Sequence, residues 1–154
     1  MRGLAGLQRV DELKVRITYH GWCIQESDEA LVPVPFPDEA AEGGFLTPFA
    51  GRLDFYSAGH THTAAVSVEH WDAEPVPDAR TVWEERGEAE LVSGSGAVAV
   101  WSDGRDHELS LLAPGTWKVR AYCAGRAEVA RVCEEDGVAD GVETYLLQLW
   151  PAAA

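Results

Sequence analysis

This sequence predicts an all-β protein: an antiparallel β-sandwich of about eight short strands with one or two short helices. Three observations predict it. Apolar and polar residues alternate in many short runs, the period of a half-buried strand. Turn residues separate those runs. No apolar run looks long enough for a parallel strand buried on both faces. The chain has 154 residues, 46% of them hydrophobic, which is enough to bury a core and fits one domain spanning 1–154. Residues 1–10 and 152–154 are expected to be frayed ends.

The elements follow in order. Leu13, Val15, Ile17 and Tyr19 alternate with Lys14, Arg16 and Thr18. Leu31 to Pro37 holds three prolines and reads as an ordered loop or linker, because proline removes ladder donors. Pro37 to Gly43 fits one or two helical turns, with acids at the start and glycine as the stop. Leu53 and Phe55 alternate with Arg52 and Asp54, and Ala64, Val66 and Val68 with Ser67 and Glu69. Ala97 to Trp101 is an apolar run, followed by the hairpin signal Ser102-Asp103-Gly104. Leu109 and Leu111 come next, then the turn Pro114-Gly115. Trp117, Val119, Ala121 and Cys123 share one face. Arg126 to Glu135 fits a helix with Ala127, Ala130, Val132 and Cys133 toward the sheet. Tyr145 to Trp150 ends the fold at Pro151.

Charge is the strongest functional signal. There are 26 acidic residues against 12 basic ones, for a net charge of −14. From Ile17 to Gly51 there is no Lys or Arg, yet Glu26, Asp28, Glu29, Asp38, Glu39 and Glu42 all fall there. Such a surface repels nucleic acid and anionic membranes and attracts basic partners at long range. No stretch reaches the roughly 20 apolar residues that span a bilayer. Cys23, Cys123 and Cys133 are odd in number and widely spaced, which fits reduced thiols in a cytoplasmic protein.

The chemical motifs are sparse. His60-Thr61-His62 is the most metal-like, since residues two apart on a strand share a face. A cupin-like site would need a further ligand. Glu69 has the wrong parity, and His70 has the right parity but lies too far along an extended strand to join them. The expectation is therefore no metal and no cofactor. His20 and Cys23 form a nucleophile pair only if something orients them, and no such residue is evident. Glu84, Glu85, Glu88 and Glu90 read as surface carboxylates. Six tryptophans leave a carbohydrate-binding sandwich as the alternative, with Trp117 in the core and Trp71 on the exposed parity.

The order of the pieces resembles the competence protein J family. The resemblance rests on Ile17-Thr18-Tyr19-His20, on Asp38-Glu39-Ala40-Ala41-Glu42 followed by Gly44-Phe45, and on Gly51-Arg52-Leu53-Asp54-Phe55-Tyr56. It continues through Leu109-Ser110-Leu111 and Pro114-Gly115-Thr116-Trp117-Lys118-Val119. The chain departs from the pattern at Arg126 to Asp140 and at its ending Leu146 to Pro151. The resemblance implies an acidic β-sandwich without catalytic residues that inhibits a partner DNA nuclease. The expected partner is a basic protein, a nuclease or toxin. Asp38, Glu39, Glu42, Glu84, Glu85 and Glu88 are the expected partner-binding carboxylates, standing in for phosphates before its Lys and Arg.

Overall fold

The computed structural model describes residues 5–32, 44–135 and 137–152. Ten strands and one α-helix follow in chain order: β1 Leu7–Ile17, β2 Gly21–Glu26, β3 Leu46–Phe49, β4 Arg52–Tyr56, β5 His62–Trp71, β6 Glu85–Ser93, β7 Ala97–Ser102, β8 Gly104–Ser110, β9 Gly115–Ala124, α1 Arg126–Glu134 and β10 Asp140–Pro151. They form two five-stranded sheets. Sheet A has the order β1-β5-β10-β9-β6, and sheet B the order β3-β4-β2-β7-β8. One cluster of buried side chains joins the inner faces, with Val15, Val66, Leu91, Val119 and Leu147 from sheet A and Trp22, Ile24, Leu53, Phe55 and Val100 from sheet B. The β-sandwich is the predicted fold.

Three strands escape the alternation pattern, for different reasons. From Trp22 to Glu26, β2 is buried without a break, so it has no polar face to alternate with. Four-residue β3 carries Pro48 on a sheet edge, where a missing donor costs nothing. The third, β6, runs Glu-Arg-Gly-Glu-Ala-Glu at the other sheet's edge and reads as a carboxylate cluster rather than a strand. Charges on an edge block further strand pairing.

The expectation of purely antiparallel pairing needs correcting. β10 lies between β5 and β9, and it runs parallel to β5 with Tyr145 opposite Val66 and Leu147 opposite Val68. Its Tyr145 to Trp150 run is buried throughout, as a parallel strand covered on both faces should be. Nor does the start fray through residue 10, since β1 begins at Leu7 and is paired with β5 from there. The apolar parity of β1 stops at Ile17; Tyr19 leaves the strand and stands 80% exposed. The helix expected over Pro37 to Gly43, and most of the Leu31 to Pro37 loop, lie outside the described residues. The described start of that region is a single 3-10 turn, Glu29–Leu31.

Within α1 the buried residue is Val129, while Ala127 is exposed and Ala130, Val132 and Cys133 are half-buried. The predicted apolar face is thus turned by about one position. The helix starts abruptly. Gly125 has φ 78°, and a Cβ there would lie 2.0 Å from the Val142 carbonyl oxygen, so only glycine fits. Glycine offers no side chain to cap the helix. Glu84, from the segment before β6, supplies the cap: its carboxylate accepts from the backbone N–H of Arg126 at 2.6 Å and of Ala127 at 3.4 Å.

Polar groups close both ends of the core. At the end away from α1, Glu26 is buried and accepts from the Ser93 hydroxyl and from the N–H and hydroxyl of Ser95, each at 2.8 Å, and from the N–H of Asp28. Burial alone would raise its pKa, but these donors outweigh it and hold the carboxyl below its usual value. Also at that end, buried His70 bonds the Asp11 carboxylate at 2.8 Å, and Arg9 reaches across to the Ser110 carbonyl of sheet B.

Candidate functional site

At the α1 end a serine, a histidine and a glutamate meet inside the protein. Ser57, His62 and Glu143 are each at most 1% exposed. The Ser57 hydroxyl donates to Glu143 Oε1 at 2.6 Å, lies 2.7 Å from His62 Nε2 and accepts from the Gly59 N–H at 3.1 Å. With its one proton on Glu143, the hydroxyl accepts from His62 Nε2–H, which makes His62 the Nε2–H tautomer. This order is wrong for nucleophilic catalysis, where the imidazole sits between acid and hydroxyl and takes the hydroxyl proton. Here the serine sits in the middle, no imidazole acceptor faces its proton, and all three side chains are buried. Through Oε2 Glu143 also accepts from the Ala58 N–H at 3.0 Å, and Arg126 Nη1 lies 3.6 Å from that same oxygen. The cluster ties the β4–β5 loop to β10 and α1. Burial lowers the His62 pKa, against the pull of Glu143, so the ring is neutral.

This geometry corrects the His60/His62 pair. His62 opens β5 and faces the core, whereas His60 is exposed in the preceding loop, with its Nδ1 2.6 Å from the Thr61 hydroxyl. They share no strand face. Among the described residues no group of three or more His, Cys, Asp or Glu side chains is placed to hold a metal ion. His20 and Cys23 do not pair either: His20 Nδ1 lies 2.8 Å from the Ser57 carbonyl, and burial pushes the Cys23 thiol up to about 11. Cys123 is buried and pushed up to about 12, again chiefly by burial. Cys133 is half-buried, contrary to its reading as a core residue, and all three cysteines are free.

Several carboxylates are committed inside the molecule. Glu84 caps α1. Glu88 pairs with Arg120 Nε at 2.6 Å, and Glu90 with Lys118 at 2.7 Å. Glu85 has no side-chain partner among the described residues, and neither do Glu29, Asp103 and Glu134. Asp38, Glu39 and Glu42 lie outside the described residues.

The segment 72–84 crosses the outer face of sheet A and is strapped to it. Gln148 donates to Glu69 at 3.1 Å and accepts from the Tyr122 hydroxyl at 2.8 Å, which in turn accepts from the Asp78 N–H at 2.9 Å. Arg80 reaches Glu69 at 2.6 Å and also pairs with Asp78. Arg120 binds the Pro75 carbonyl at 3.0 Å and lies over the Trp150 ring. No sequence pattern signals this strap. Its one clue is polar residues, Glu69, Arg120, Tyr122 and Gln148, in strands otherwise rich in apolar side chains.

The tryptophans lie in the core or partly covered at its margins. Trp22, Trp117 and Trp150 are buried, and Trp71, Trp83 and Trp101 are half-buried. Trp71 donates to Glu69 at 3.0 Å and Trp83 to Asp78 at 2.9 Å. None of the six is fully exposed. A cleft beside Trp150, lined also by Glu88, Glu90 and Lys118, holds about 140 Å³. Small-molecule pockets usually start at roughly 300 Å³.

The two sheets, their order and the paired ends invite comparison with known folds. This sandwich is similar to that of ComJ. ComJ of Bacillus subtilis, described as an inhibitor of the DNA-degrading activity of NucA, matches with a TM-score of 0.64 at 14% identity, over 97% of this chain and 100% of that one. A second solved structure, the crocagin biosynthetic gene J product, matches with a TM-score of 0.65 at 13% identity, over 94% and 98%. At these identities the likeness speaks for the fold. No protein-family model matches the sequence, and neither does any curated protein.

Proposed function

We propose that this chain is a non-enzymatic, cytoplasmic binding protein that inhibits a basic nuclease or toxin by occupying its cationic cleft. One observation carries the reading: the cations are mostly consumed internally. Arg9, Arg52, Arg80, Arg105, Lys118, Arg120 and Arg131 each pair with a carboxylate of the same chain, while Glu29, Glu85, Asp103 and Glu134 have no side-chain partner among the described residues. The surplus of a net −14 chain therefore faces outward. Such a field steers a cationic protein to the surface, and carboxylates then pair with Lys and Arg that would otherwise hold phosphates. The ComJ likeness supports an inhibitor, since ComJ is described as one. Asp38, Glu39, Glu42 and Glu85 are the proposed partner-facing carboxylates, with Glu84 and Glu88 adding to the field while engaged in their internal contacts.

The test is inhibition of DNA cleavage by purified nucleases, namely NucA of Bacillus subtilis and the nuclease encoded nearest to this chain's gene. Stoichiometric inhibition is expected. Its on-rate should fall with salt, because the Debye length shrinks from about 10 Å at 0.1 M to about 3 Å at 1 M. Absence of inhibition, or an on-rate indifferent to salt, would refute the reading.

A further inference from the structure

We infer that the α1 end of the sandwich is the surface on which the basic partner docks, with Tyr19 as its aromatic anchor; this rests on the inhibitor reading above. The first observation is the β1–β2 turn. Thr18 and Gly21 bridge, and the two residues between them, Tyr19 and His20, have φ 53° and 65°. Positive φ at both central positions is the signature of a type I′ turn, which Asn-Gly fills without steric conflict. A tyrosine and a histidine are poor choices for that backbone. His20 is half-buried and stacks on Tyr56, but Tyr19 does not repay the strain by entering the core, for it is 80% exposed. Strained backbone that the core does not use marks a functional position.

The second observation is how Tyr19 is held. Its ring meets His60 edge-on at 4.8 Å, His60 meets His20 edge-on at 5.3 Å, and His20 stacks flat on Tyr56 of β4 at 4.9 Å. The Ser57 carbonyl fixes His20 from below. Tyr19 therefore projects from a ladder of rings rooted in sheet B. A rigid, solvent-facing tyrosine gives much contact area at little entropy cost, which is why tyrosines dominate binding hot spots.

The third observation is what surrounds it. The loop that carries His60 packs directly under α1: a Cβ on Gly59 would lie 3.0 Å from Val129, and the Cys133 thiol reaches the Thr61 carbonyl at 3.6 Å. From there α1 runs back about 13 Å to the corner where Glu84 caps it. On its outward side Arg131 pairs with Glu128 and with Glu135 just past the helix end, and Glu134 is unpaired among the described residues. Glu85 opens β6 at the same corner, opposite Cys123. Beyond the helix, Val138 is 94% exposed. An aromatic anchor beside the unpaired carboxylates Glu85 and Glu134 is an interface core with a charged rim, complementary to a cationic protein.

The test uses the full chain in the same nuclease assays, with four variants. Tyr19→Asn should raise the inhibition constant about tenfold or more, while leaving the melting temperature unchanged or higher, because asparagine suits the turn. Tyr19→Phe should inhibit like the wild type. Glu134→Gln with Glu135→Gln should slow association and flatten its salt dependence. Glu29→Gln, at the opposite end, should leave the inhibition constant unchanged and slow association far less than the Glu134 and Glu135 pair. Full inhibition by Tyr19→Asn, or a loss that merely follows a lowered melting temperature, overturns the proposal and leaves the inhibitor reading standing. If the wild type inhibits neither nuclease, the inhibitor reading fails and this surface fails with it.

Discussion

Mild acid should destabilise this protein through two buried histidines. His62 and His70 are at most 1% exposed, and burial lowers the pKa of each despite the neighbouring Glu143 and Asp11 carboxylates. In the unfolded chain both return to about 6.5. As pH falls below that value the unfolded state takes up protons that the folded state refuses, so folding loses free energy. Moving from pH 7.5 to 5.5 then costs up to about 1.4 kcal/mol per histidine and up to about 2.8 kcal/mol together, the full amount applying where both folded rings stay neutral throughout. That corresponds to a fall in melting temperature of roughly 6–11 °C for a chain of this size. Glu26 and Asp78, held below their ordinary values of 4.5 and 3.8, add stability that is lost only at lower pH, so they do not blur this window. The assay is urea unfolding at pH 7.5, 6.5 and 5.5, on the wild type, His62→Gln and His70→Gln. Each variant should lose about half of the pH dependence, whatever its own stability. An unfolding free energy that stays flat from pH 7.5 to 5.5 would refute the reasoning.

The other predictions concern individual groups. Ser57→Ala leaves Glu143, His62 and the Gly59 N–H short of a partner and should cost about 2–4 kcal/mol by denaturant unfolding, and a serine-reactive fluorophosphonate should not label the wild type. Glu84→Ala uncaps α1 and should cost about 1 kcal/mol, with a matching loss of helical signal in circular dichroism. A native thiol titration should modify Cys133 first, with Cys23 and Cys123, pushed up to about 11 and 12, reacting only on unfolding. Rapid native reaction of all three would contradict their placement.

The sandwich was legible because a half-buried strand writes its two faces into alternate residues, as Leu53 and Phe55 or Val66 and Val68 do. β2 was not, because both of its faces are covered, so Cys23 and Gln25 are buried beside Trp22 and Ile24. The β10 run was visible as apolar, but its parallel partner was not, since pairing between distant strands leaves no local trace. At the candidate surface, the acidic excess was plain from composition. The role of Glu84 as a helix cap was not, because it acts 42 residues away in sequence from the N–H it accepts. Strict alternation carried Tyr19 inward, and only the backbone turn shows that it points out.

The place of β10 bears on how this chain folds. The last strand in sequence is the middle strand of sheet A, inserted between β5 and β9. Until it is available, β5 has a partner on one side only, and its Val66 and Val68 have no second sheet edge to close against. About 80 residues separate the end of β5 from the end of β10, which takes roughly 4–16 s to synthesise at ordinary rates. For that interval the first half of the sheet is an open apolar edge, the form of intermediate most prone to aggregate or to recruit a chaperone. Truncating the chain before Asp140 would not trim a border of the sheet; it would split the sheet down its centre.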